Sequence, residues 1–248
     1  MSDKAKLLRK GSKISRQKLQ RLNKTTLQDQ AYEELRDALM SGHFTPGDML
    51  VIRQLAAEMG TSIMPVRDAL QRLVAERALK LLPSRTVQVP LISRREFDQM
   101  TAIRIRLESL ATETAAAHVT AAMIKRLKEQ NQLMIEAIAK QDVAKVLESN
   151  MNFHFIIYQA AESELLIGYI ESLWLRIGPL LKTPWRMASG NPVFDAARDT
   201  HQMMIDALEN RDAPRAAAAL IKDISDAAEW YQNQNNIFFG NTGDGGID

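Results

Sequence analysis

Apolar residues recur at three- and four-residue spacing through most of the chain, and the pattern breaks at short polar, glycine- or proline-bearing stretches. Ala31, Leu35, Ala38 and Leu39 fall on one face of residues 28–41, which predicts an amphipathic helix; Gly42 and the turn Thr45-Pro46-Gly47-Asp48 stop it. Leu55, Ala56 and Met59 share a face in a shorter helix that Gly60 ends, because glycine tolerates the left-handed backbone of a helix C-terminus. Ser62 stands where it can cap the next helix, and Pro65 sits near its first turn, where a missing N–H costs little. Val66, Ala69, Leu70 and Leu73 then recur at helical spacing, with Arg67 on the opposite face and Gln71 one turn on. Residues 78–82 and 86–89 are short β-prone runs separated by Pro83-Ser84-Arg85 and ended by Pro90, a hairpin with an arginine at its tip. Helix, turn, helix-turn-helix and β-wing make residues 25–90 one small winged domain whose second motif helix suits the DNA major groove.

Beyond a short bridge at 90–93 the pattern is helical almost to the end. It predicts helices over 94–118, 120–140, 142–162, 164–182, 192–210 and 212–235, with Ser93, Asp142 and Asp212 placed as caps. The fold class is therefore mostly α: a winged helix-turn-helix followed, over 94–235, by an antiparallel bundle of about six helices. The run 240–246 holds no core-forming residue, and 236–248 is expected as a loose tail.

Composition narrows the setting. No apolar run approaches the roughly 18 residues of a membrane span, and no secretory signal is present, so the expectation is a cytoplasmic protein with no membrane partner. With no cysteine, disulfides and thiolate ligands or nucleophiles are excluded. The net charge of +2 is unevenly spread: residues 1–24 carry nine Lys or Arg against one acid, Asp3, which leaves the remainder about six charges negative. Nucleic-acid binding must then rest on placed arginines and on this basic arm, which either follows phosphates beside the wing or is a plain solubilising extension.

Several polar residues invite chemistry. Arg67 is placed to bond guanine O6 and N7 bidentately; its plain alternative is pairing with Asp68 or Glu76. Arg85 at the wing tip suits a minor groove or simply water. In the bundle, His154 interrupts the apolar run 152–158, and Asn150 lies four residues before it on the same face. His201 precedes Met204 and Ile205, and Asp223 lies among Leu220, Ile221 and Ile224. These four converge as an interior site, or else the histidines are hydrogen-bonded core residues and Asp223 an exposed acid paired with Lys222 or Arg215.

The winged stretch resembles the DNA-binding domain of the GntR family of bacterial transcription regulators. The likeness rests on Thr45-Pro46-Gly47-Asp48, Leu55-Ala56, Ser62, Pro65-Val66-Arg67-Asp68-Ala69-Leu70 and Leu73-Val74-Ala75-Glu76. It implies DNA contacts from Arg53 and Arg67; Ile63 stands where a third arginine is usual, and Thr86 where the wing commonly has glycine, while Ser62 suits a phosphate or base contact or a cap alone. Residues 95–235 resemble the helical FCD ligand-binding domain of the FadR-type branch, through Arg104-Ile105-Arg106-Leu107-Glu108, Phe153-His154, and His201 with Ala207-Leu208 and Arg211-Asp212-Ala213. In that branch an Asp and three His commonly hold a metal beneath a carboxylate effector. By position the Asp is Asn150, two of the His are His154 and His201, and the third is Asp223. Two His and a carboxylate suffice for Zn, with Ni, Mn or Fe(II) also served, and a metal-free hydrogen-bonded pocket is the alternative. Arg104 would grip the effector carboxylate, pair with Glu108, or both.

The resemblance implies a homodimer on a near-palindromic double-stranded operator, acting as a repressor that a small carboxylic acid releases. Two rivals stand beside it: a metal-dependent enzyme acting on a small acid, and an architectural DNA binder with an inert bundle. No glycine-rich phosphate loop, HExxH or nucleophile motif supports the enzyme.

Overall fold

A computed structural model describes residues 26–182 and 192–233. The basic arm, the tail and residues 183–191 lie outside the described residues.

Helix α1 (Leu27–Met40) starts at a capping box in which Thr26 Oγ1 accepts from the Asp29 N–H and the Asp29 carboxylate accepts in return from the Thr26 N–H. Its buried face, Ala31, Tyr32, Leu35 and Leu39, packs on α3 (Ile63–Ala75), whose own buried face is Pro65, Val66, Ala69, Leu70 and Leu73. Between them comes α2 (Ile52–Glu58), closed by Gly60 at φ +62°. Ser62 occupies the α3 N-cap position with extended backbone, yet its side chain makes no cap hydrogen bond there.

The wing is larger than the sequence indicated. Besides β2 (Lys80–Leu81) and β3 (Val87–Gln88), a strand β1 (Met49–Leu50) joins an antiparallel sheet of order β1-β3-β2. Met49 faces Gln88 on one side of β3 while Lys80 faces it on the other. The left-handed residue of the wing turn is Arg85, at φ +62°, one position before the threonine that takes the usual glycine's place.

The remaining helices are α4 (Arg94–Ala115, running into a 3₁₀ turn Ala116–His118), α5 (Ala121–Lys140), α6 (Val143–Gln159), α7 (Glu164–Leu181), α8 (Pro192–Glu209) and α9 (Ala213–Gln232). Each falls within its expected span, and the caps are realised: Ser93, Asp142 and Asp212 accept from the N–H of Glu96, Lys145 and Arg215. α8 packs on α9, α5 on α6, and α4 against α6, α7 and α9, with Phe153, Ile157 and Tyr158 of α6 fully buried.

The winged part sits on the bundle through α1 and α7. A Cβ on Gly178 would come within 2.6 Å of the Met40 carbonyl oxygen, so only glycine lets the two helices approach this closely. Arg36 forms an ion pair with Glu171, and Lys182 Nζ donates to the His43 carbonyl at 3.2 Å.

Candidate functional site

Two sets of residues carry candidate chemistry, one on each part of the fold. On the winged part, α3 turns Ile63, Met64, Arg67 and Gln71 outward because Val66, Ala69, Leu70 and Leu73 hold its other face in the core. Arg67 has no acid partner among the described residues. Asp68 instead accepts from Gln28, Glu76 is held by Arg72 and Tyr32, and the Arg67 guanidinium lies against Met64 Sδ at 4.0 Å. Arg53 near the start of α2, Ser62 ahead of α3 and Arg85 on the wing are all exposed. Exposed Ile63 and Met64 were not read from the sequence as functional; the signal was two large apolar residues on the polar side of the α3 pattern.

In the bundle, α6, α8 and α9 bring three side chains together. Ligand atoms of His154, His201 and Asp223 all lie within 4.8 Å of one another. His154 Nε2 is 3.4 Å from Asp223 Oδ2, and the two imidazoles stand nearly perpendicular with centroids 5.1 Å apart. Asp223 is turned inward: Thr200 Oγ1 donates to its Oδ1 at 2.5 Å, while Lys222 pairs with Asp226. His201 is fully buried and stacked on Phe153, and neither of its ring nitrogens has a hydrogen-bond partner. That removes the plain reading of a satisfied core histidine.

Arg104, Asn150, His154, Trp174 and Asp223 line a cavity of about 40 Å³ at this point. By the usual measure of ~10–15 Å³ per water-sized probe, it admits a metal ion with a water or two, or a carboxylate group. A larger groove of about 1010 Å³ runs past Lys125, Lys128 and Leu133 on α5, but it is open to solvent and gathers no ligating cluster.

Behind the cavity wall lies a buried polar chain. Arg104 donates from Nε and Nη2 to the two oxygens of Glu108, at 2.6 and 3.2 Å. Tyr158 Oη donates to Glu108 Oε2 at 2.5 Å and lies 3.2 Å from His154 Nδ1. The Arg104–Glu108 and His154–Tyr158 pairs follow from i,i+4 spacing; the links from Tyr158 to Glu108 and from Thr200 to Asp223 join different helices and carried no sequence signal.

Burial pushes the His201 imidazole down to about 3, outweighing the pull of the Asp223 charge. Burial alone would raise the Asp223 carboxyl, but the adjoining His154 and His201 imidazoles and the Thr200 hydroxyl hold it below the ordinary carboxylate range. Near neutral pH the site thus offers a carboxylate and a neutral imidazole, the forms that bind metal. With the orphaned nitrogens of His201, the donor set fits a divalent cation.

Comparison with known proteins decides the family. Residues 99–226 match the FCD domain, and residues 27–89 match the bacterial regulatory proteins of the gntR family. The chain belongs to the GntR family, in its FCD-bearing branch. It is 34% identical over 150 residues to the HTH-type transcriptional regulator McbR of Escherichia coli (strain K12), covering 60% of this chain and 68% of that one. It is 25% identical over 212 residues to the gluconate operon transcriptional repressor of Bacillus subtilis (strain 168), covering 81% and 85%. Among solved structures, E. coli McbR/YncC superposes with a TM-score of 0.78 at 29% identity, over 85% of this chain and 99% of that one. A putative GntR regulator from Rhodococcus sp. RHA1 shares the fold, with a TM-score of 0.69 at 21% identity over 84% and 98%. This GntR-family protein is accordingly a DNA-binding transcription regulator with an effector-binding helical domain, and not an enzyme.

Proposed function

We propose that this regulator is a homodimeric repressor released by a small carboxylic acid, which it senses in the cavity between Arg104 and the His154–His201–Asp223 cluster. The observation that carries the reading is that His154 and Asp223 line one cavity with Arg104, with a ligand atom of buried His201 within 4.8 Å of theirs, on a bundle joined to a winged helix-turn-helix. The three side chains, with Asn150 beside them, would hold a divalent metal, zinc first; such an ion supplies open, Lewis-acidic positions for a carboxylate. Arg104 uses Nε and Nη2 for Glu108, which leaves Nη1 as its effector-facing edge.

On DNA, Arg67 would read guanine, Ile63 and Met64 the methyl groups of thymine, and Arg53, Ser62 and Arg85 would track phosphates and the minor groove. A two-fold dimer would present paired α3 helices to a near-palindromic operator. Support for a second copy comes from the packed pair α4 and α7, which leave Ile103, Leu110, Leu165 and Tyr169 exposed. The effector can weaken DNA binding only through unequal affinity for the two head arrangements, and α7, which touches both cavity and head, is the element able to convey it.

The test is metal content and thermal stability of the purified protein, before and after chelation, across a panel of small acids. A ligand at 100 times its Kd adds about 2.7 kcal/mol. We expect stoichiometric metal and one acid whose stabilisation vanishes on chelation. Neither metal nor stabilisation by any acid would overturn the reading.

A further inference from the structure

The buried chain Arg104–Glu108–Tyr158–His154 fixes which nitrogen of His154 carries the proton. Glu108, gripped by Arg104 at both oxygens, is a carboxylate and accepts only. Tyr158 has one hydroxyl proton, and the 2.5 Å bond to Glu108 uses it. Facing Tyr158 Oη at 3.2 Å, His154 Nδ1 has an acceptor before it and no second proton to receive, so Nδ1 must donate.

A singly protonated His154 with its hydrogen on Nδ1 has a bare lone pair on Nε2. That lone pair points toward Asp223 Oδ2, 3.4 Å away, and the other Asp223 oxygen is already engaged by Thr200. Two acceptors at this separation repel unless a cation joins them. A proton would do so as well as a metal; His201, with a ligand nitrogen within 4.8 Å of both and no hydrogen-bond partner on its ring, argues for the larger cation.

We infer that Tyr158, held by Glu108 and Arg104, is a positioning residue that sets His154 in the Nδ1–H tautomer and so readies Nε2 to ligate a divalent metal. This rests on the metal-site reading above. It also gives Arg104 a task apart from the effector: its two hydrogen bonds hold Glu108 in place. Outer hydrogen-bond partners of ligating histidines act in this way in general, and their loss costs about 10- to 100-fold in metal affinity.

The direct test is the ring ¹⁵N spectrum of the metal-free 248-residue chain in alkaline buffer, with the His154 signals assigned by their loss in His154→Gln. The proton should sit on Nδ1. In Tyr158→Phe, Nδ1 loses its acceptor, and the proton should move to Nε2, where it can bond Asp223. Zn²⁺ affinity, measured by competition with a chromophoric chelator, should fall about 10- to 100-fold in that variant, with the metal-free melting temperature reporting that it folds. A wild-type proton on Nε2 overturns the inference even if the variant fails to fold. Equal Zn²⁺ affinity in wild type and a folded Tyr158→Phe overturns it too. A wild type that binds no Zn²⁺ instead defeats the metal-site reading and this inference with it.

Discussion

Trp174 and Gly178 stand one turn apart on α7, the first beside Arg104 in the cavity, the second against the backbone of Leu39 and Met40 in the DNA head. Cavity and head thus share one helix, and Pro179 next to the contact withholds the N–H that would continue the helix ladder. Gly178→Ala inserts a methyl group that must displace the α1 backbone. We expect a loss of about 1–3 kcal/mol, the usual cost of overpacking. At this chain size each kcal/mol lowers Tm by about 2–4 °C. Operator affinity in the variant should respond less to the acid than in wild type. Calorimetry and operator titrations with and without acid check this. An unchanged Tm would mean that the head does not rest on α7 in solution.

The recognition helix offers a second prediction. Arg67 is unpaired by acids and Ile63 and Met64 are exposed at the start of α3, so base reading should combine one bidentate guanine contact with apolar contacts to thymine methyl groups. On an operator selected from random DNA, Arg67→Ala should lose about 1–3 kcal/mol of discrimination at one guanine per half-site. Replacing thymine by uracil removes only the methyl. It should weaken wild type at specific positions and leave Ile63→Ala with Met64→Ala indifferent there. If uracil changes nothing for wild type, the two apolar side chains do not face bases.

How far these features could be read beforehand differs by scale. Helix positions follow from apolar spacing and from the Ser93, Asp142 and Asp212 caps, all local signals. Strand β1 has two residues and no alternation; it exists because Gln88 and Val87 offer free backbone groups to Met49 and Leu50. His154 and His201 stood out as polar residues on apolar faces, yet their meeting with Asp223 depends on how α6, α8 and α9 pack. Tyr158 stood one helical turn from His154, but its bond to Glu108, 50 residues away, left no mark in the sequence. Ser62 shows the reverse case: its type and place suggested a cap bond that the structure does not form.

Alkaline titration probes the contact between α1 and α3. Tyr32 is buried under the Arg72 guanidinium and donates to Glu76 at 2.8 Å; burial first, then Glu76, pushes its phenol up from 10.0 to about 12. The folded state therefore keeps a proton that the unfolded chain releases first. Its contribution is full below about pH 10 and is lost as pH rises toward about 12, by roughly 2–3 kcal/mol at 1.36 kcal/mol per unit. Denaturation of the wild type at several alkaline pH values should show this decline, and Tyr32→Phe should lessen it. An identical pH slope in the two proteins would place the titrating group elsewhere.

The exposed face of α4 and α7 tests the proposed homodimer. Leu165 and Tyr169 are 72% and 57% exposed, Ile103 and Leu110 about half, on two helices that pack together. Single exposed apolar residues are common, but four on two helices that pack together are candidates for a face that a partner covers. If a second copy covers it, a carboxylate placed at its centre is buried without a partner on both sides of the two-fold axis, a cost that the interface cannot offset. Leu110→Glu should then sediment as a monomer, with helical content and metal content unchanged, because Leu110 points away from the bundle core. Its operator affinity should fall steeply, since each monomer reads only one half-site. A Leu110→Glu protein that remains dimeric would assign the interface to another face and leave this patch to some other partner.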